Sequence, residues 1–130
     1  MKNFVNASSA AVIIIAFSSM IGSQDDSKPS VNVDRLSVVI IEETESRSSI
    51  PASQLNAMTS IKWRNYIKEK GGQWRLLDQD SNIKKEEPWV KESFELKRES
   101  LPWLVVCNIK SVKSIPMPKN IEGLMKEIKQ

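Results

Sequence analysis

The run Ser100-Leu101-Pro102-Trp103-Leu104-Val105-Val106-Cys107-Asn108 restricts the fold of this chain more than any other stretch. Proline has no N–H to give to a ladder, so it is tolerated where a strand begins. The residues after it are apolar without polar alternation, the pattern of a strand covered on both faces. The stretch therefore reads as a central strand of an α/β domain.

With 130 residues, 40% of them hydrophobic, the chain has material for one core. The net charge of +3 comes from bases and acids mixed along the sequence, so a nucleic-acid surface is not expected. There is no histidine, which removes the commonest general base and the commonest metal ligand together. The single cysteine, Cys107, permits no internal disulfide. The motif Asp78-x-Asp80-x-Asn82 matches the opening of a calcium-binding loop, but Ile83 stands at its glycine position and Trp89 at its closing glutamate. No cofactor and no metal are expected.

The N-terminus is set apart from the rest. Lys2 precedes an uncharged segment, residues 7–22, centred on Ala10-Ala11-Val12-Ile13-Ile14-Ile15-Ala16-Phe17. A basic residue, an apolar segment of about a dozen residues and the small residues Gly22 and Ser23 form the pattern of an export signal, shorter than a spanning helix requires. Residues 1–23 thus read as a signal peptide or membrane anchor, and residues 24–33, opening Gln24-Asp25-Asp26-Ser27-Lys28-Pro29-Ser30, as a polar linker. The expected location is periplasmic, extracellular or membrane-anchored, with membrane contact only through residues 1–23; were that segment no signal, it would be cytoplasmic.

The domain follows over residues 34–130. Leu36-Ser37-Val38-Val39-Ile40-Ile41 is β-branched and continuously apolar, a first buried strand. After the polar loop Glu42-Glu43-Thr44-Glu45-Ser46-Arg47-Ser48-Ser49, the apolar stripe Leu55, Met58, Ile61, Trp63, Tyr66 and Ile67 predicts one helix over residues 54–70, with Ser53 as its cap and Gly71-Gly72 as its end. Gln73-Trp74-Arg75-Leu76-Leu77-Asp78 reads as a second strand, parallel to the first because a helix connects them. Pro88, behind Glu86 and Glu87, opens a short helix that turns Trp89, Val90 and Phe94 inward. Beyond the proline-led strand, a turn near Ile109 and Lys110 leads to a strand over residues 112–115. Asn120 then caps a helix with Ile121, Leu124, Met125 and Ile128 on one face.

The order β-α-β-α-β-β-α resembles the thioredoxin superfamily over residues 34–130. The likeness rests on the strand end Leu77-Asp78-Gln79-Asp80, the run Leu101-Pro102-Trp103-Leu104-Val105-Val106 placed like the strand that starts with the family's cis-proline, the hairpin after it, and the closing helix with Leu124. The resemblance implies a four-stranded mixed sheet of order 2-1-3-4 covered by helices, with the hairpin strands antiparallel to the first. It also shows a departure. The family places a Cys-x-x-Cys pair where the first strand meets the first helix, and residues 42–53 contain no cysteine.

In an open α/β sheet the functional crevice lies beyond the carboxyl ends of the parallel strands, which puts Glu42, Glu43, Thr44, Arg47, Ser48 and Ser49 near Leu101 and Pro102. The acids there read as a solvated loop in preference to a catalytic carboxylate pair, which needs a dry pocket. The family likeness implies that Leu101, before the proline, offers its backbone to an extended peptide, a pairing that needs no thiol. Most of Trp63, Trp74, Trp89 and Trp103 read as core, and Cys107 as a buried small hydrophobe. The function expected is therefore that of a non-redox binding or adaptor module with a protein or peptide partner. Its rivals are an oxidoreductase accessory or enzyme using Cys107 or partner-supplied groups, and a structural component of a larger assembly.

Overall fold

A computed structural model describes residues 31–129 of the chain; the stretch read as export signal or anchor and most of the linker lie outside the described residues. Among the described residues, no helix is long and apolar enough to cross a membrane.

The strands are β1 (Ser37–Glu42), β2 (Gln73–Asp78), β3 (Trp103–Cys107) and β4 (Val112–Pro116). They form one four-stranded sheet of order β2-β1-β3-β4, in which β1 runs parallel to β2 and antiparallel to β3, and β4 antiparallel to β3. The order is the one expected above; of the two hairpin strands expected to oppose the first, β3 does, while β4, antiparallel to β3, runs in the same direction as β1. All of β1 and all of β3 are buried, as the absence of polar alternation in both runs requires.

Alternate side chains of these central strands feed two separate cores. Val38, Ile40, Leu104 and Val106 meet Met58, Trp63, Ile67, Leu124, Met125 and Ile128, which come from helices α1 (Ala52–Thr59), α2 (Ile61–Glu69) and α4 (Ile121–Lys129). Val39, Ile41, Trp103, Val105 and Cys107 meet Trp89 and Val90 of α3 (Pro88–Glu95) on the other face. Val31, within the stretch read as linker, is buried on this second face, and the Asn32 N–H donates to Glu92. The apolar face of α4 is the one expected, and the Asn120 side chain accepts the Gly123 N–H at 2.8 Å.

The single helix expected over residues 54–70 is two helices, broken at Ser60, and its cap is not Ser53. Ser60 is extended (φ −67°, ψ 139°), and its hydroxyl accepts the Lys62 N–H, so it caps a new helix where the apolar stripe alone implied continuity. The carbonyls freed at the break find partners: Arg64 donates to Thr59 and Ser60, and the Trp63 indole N–H to Met58. Pro51 holds the N-cap position of α1, while the Ser53 hydroxyl donates to the Lys119 carbonyl.

The end of α2 follows the expectation. Gly71 has φ +73°, its N–H donates to Lys68 and that of Gly72 to Ile67, the paired bonds of a Schellman stop. A Cβ on Gly72 would lie 2.5 Å from the Leu36 carbonyl oxygen and 2.9 Å from Ile67 Cγ2, so the turn presses directly on the chain entering β1. Gly72→Ala is expected to destabilise the fold by about 1–3 kcal/mol through overpacking, read as a lower urea midpoint with an unchanged slope.

Candidate functional site

Because β3 is antiparallel to β1, the carboxyl ends of β1 and β2 and the start of β3 share one end of the sheet, with Ile41 opposite Trp103. The chain leaves β1 at Glu42, whose side chain is only 4% exposed. A carboxylate so far from water needs a partner. The next residues coil into a 3-10 helix, Thr44–Ser49, which brings Arg47 back over it. The guanidinium binds Glu42 through two bonds, Nε to Oε1 at 2.7 Å and Nη2 to Oε2 at 2.6 Å. That hydrogen-bonded pairing holds the Arg47 pKa above its ordinary value, with burial acting the other way. The run expected to be a solvated loop is thus folded around an ion pair, and Glu42 and Arg47 satisfy one another.

Asp78, at the end of β2, ties the same turn down. Its carboxylate accepts the Thr44 N–H at 2.6 Å and the Asp80 N–H at 2.9 Å, and these bonds hold its pKa below the usual value. The residues that mimic a calcium loop in sequence therefore bind the backbone of the chain itself. Among the described residues, no cluster of three or more His, Cys, Asp or Glu is placed to hold a metal ion.

On the other side of this turn is a cavity of about 190 Å³ lined by Glu43, Ser46, Ser49, Ile50, Pro51, Gln54, Leu101 and Pro102. Of the residues singled out in the sequence, Glu43, Ser49, Leu101 and Pro102 line it. Glu42 and Arg47 are engaged with one another, and Thr44 and Ser48 are exposed outside the lining. Ser46, Ile50, Pro51 and Gln54 were not anticipated; the Ile50-Pro51 step into α1 was the available signal. The Ser46 hydroxyl donates to Glu43 at 2.9 Å and that of Ser49 to the Ser46 carbonyl at 2.8 Å. This lining offers hydrogen bonds from its serines and Glu43 and apolar contact from Ile50, Pro51 and Leu101.

Pro102 is buried, and the peptide bond that joins it to Leu101 is cis. Its carbonyl is occupied by the Met117 N–H at 3.1 Å. Leu101, half-buried on the cavity wall, differs: among the described residues, nothing hydrogen-bonds to its backbone N–H or carbonyl. Cys107 lies at the far end of β3, opposite Ser37, and is fully buried. Burial pushes its thiol up to about 11, against a smaller downward effect from Ser93.

A scan against family models finds no match for this chain, and a comparison with curated proteins finds none.

Arg47→Ala would leave the Glu42 carboxylate buried and unpaired, at a cost of about 3 kcal/mol, the low end for a broken buried pair because Arg47 is 38% exposed. Glu42→Gln leaves a guanidinium that can reach water and should cost less, about 1 kcal/mol; urea denaturation of both variants checks the order. At pH 8 only about one Cys107 thiol in a thousand is ionised. A disulfide reagent added to the folded chain should therefore leave it unmodified, with one thiol per chain released by guanidinium; rapid labelling of the native protein would restore Cys107 as a chemical group.

Proposed function

We propose that this chain is a thioredoxin-like domain without the redox pair, acting as a binding or adaptor module that holds an extended peptide at Leu101. The likeness to the superfamily is supported by the strand order and directions, by the helices on both faces, and by the cis Leu101–Pro102 step beside the turn that follows β1. The turn itself, where the family keeps two cysteines, holds the Glu42–Arg47 pair.

The observation that carries the binding reading is the free backbone N–H and carbonyl of Leu101 on the wall of a cavity. A half-buried amide with no partner gains by pairing with another backbone, which is strand addition in its smallest form. Ser46, Ser49 and Glu43 would meet the polar groups of such a peptide, and Ile50 and Pro51 its apolar side chains. Such a partner would be met outside the cytoplasm or at a membrane surface, a location that rests on Lys2 and the apolar residues 7–22.

Selection of displayed unstructured peptides on the full chain tests this reading. Binders should shift the amide resonances of Leu101, Glu43 and Ser46, and Ser49→Trp, which fills the cavity mouth, should weaken them about tenfold or more. Binders indifferent to Ser49→Trp, with shifts elsewhere, would overturn it.

A further inference from the structure

A second surface, away from the Leu101 cavity, lies between α2 and the outer edge of β2. The groove has a volume of about 700 Å³, and its α2 wall consists of Ile61, Arg64, Asn65 and Lys68, spaced i, i+3, i+4 and i+7. Its other wall is the backbone of β2 with Trp74 and Leu76. β2 ends the sheet. The N–H groups of Gln73 and Gln79 point to β1, donating to Leu36 and Glu42, so by alternation those of Trp74 and Leu76 point away from β1, to the open edge of the sheet that borders the groove. The Trp74 carbonyl there is covered by its neighbour Arg75 at 3.1 Å. The Trp74 N–H and both backbone groups of Leu76 have no partner among the described residues.

The chemistry of the walls selects an occupant. Ile61 is 66% exposed at the groove mouth, one of two large apolar side chains standing free among the described residues. The charged lining residues are Arg64, Lys68 and Arg75, and no acid is among them. Arg75 is neutralised by Glu86 at 2.9 Å. Arg64 stacks 5.3 Å from the Trp74 ring centroid and donates only to neutral carbonyls, so its charge is uncompensated. Lys68 has no acidic partner among the described residues.

We infer that this groove binds an extended acidic peptide segment, which adds to the sheet as a further strand beside β2. Its backbone pairs with the Trp74 N–H and with Leu76, an apolar side chain rests on Ile61, Trp74 and Leu76, and its carboxylates meet Arg64 and Lys68. A second copy of this chain fits less well. Two β2 edges brought together would set the cations of one copy against those of the other.

The test uses the isotope-labelled full chain and a short blocked peptide alternating valine and glutamate. Binding should move the Trp74 and Leu76 amide resonances and weaken as salt is raised. Lys68→Glu, an exposed change, should weaken it about tenfold. The same peptide with lysine for glutamate, or N-methylated on alternate residues, should not bind. The inference is overturned if the lysine peptide binds as tightly, if the shifts fall at Leu101 and Glu43 instead, or if Trp74 and Leu76 move with chain concentration in the absence of peptide.

Discussion

The pairing of β1 with β3, two strands apolar on both faces, is the constraint from which the rest of the structure follows. All eleven of their residues are buried and nine are apolar, Ser37 and Glu42 being the exceptions, so neither strand has a solvent-facing side. Each fully buried Val, Ile or Leu contributes about 1.5–3 kcal/mol only if something covers it. One face takes α1, α2 and α4 and the other α3, and all of these helices except α4, which follows the last strand, come from connections between strands. A parallel β1–β2 pair demands a crossover, which supplies α1 and α2. The antiparallel β3–β4 pair needs only the short turn at Asn108, whose side chain accepts the N–H groups of Lys110 and Ser111.

The same constraint shapes the candidate site. Where β1 ends, the chain must change from apolar to polar while still under cover, and Glu42 marks that step. Arg47 answers its charge, and the 3-10 helix is the shortest path that lets it do so. The cavity beside Leu101 is the space left on the far side of that return. A buried ion pair seldom adds net stability over an apolar pair of the same shape. Its contribution here is geometric: with Asp78 holding Thr44, it fixes one course for a segment whose side chains otherwise favour water.

Much of the fold was legible because its signals are local. β2, the hairpin and α4 are bounded by Gly71-Gly72, Asn108, Pro116 and Asn120, and each acts within a few residues of where it stands. The break at Ser60 was less visible, since a serine inside an apolar stripe is compatible with an uninterrupted helix until Trp63 and Arg64 are seen to use the freed carbonyls. The Glu42–Arg47 pair could not be read at all from composition. Glutamate five residues from arginine in a serine-rich run has the appearance of solvated chain, and only the burial of β1 turns it into an ion pair.

The two sheet edges show how that burial is confined to this molecule. An open edge invites pairing with any extended chain unless it is blunted. β4 is blunted by sequence, with Lys113 near its start and Pro116 at its end, the latter unable to donate. β2 carries neither, and Arg75 caps only one of its outward carbonyls. What stands over β2 is charge: Arg64 and Lys68 lie along the groove that any added strand must enter. Cations in that position repel a copy of the same edge while leaving the backbone open to a strand of opposite charge. An edge guarded in this way discriminates among partners, whereas a proline would have closed it to all of them.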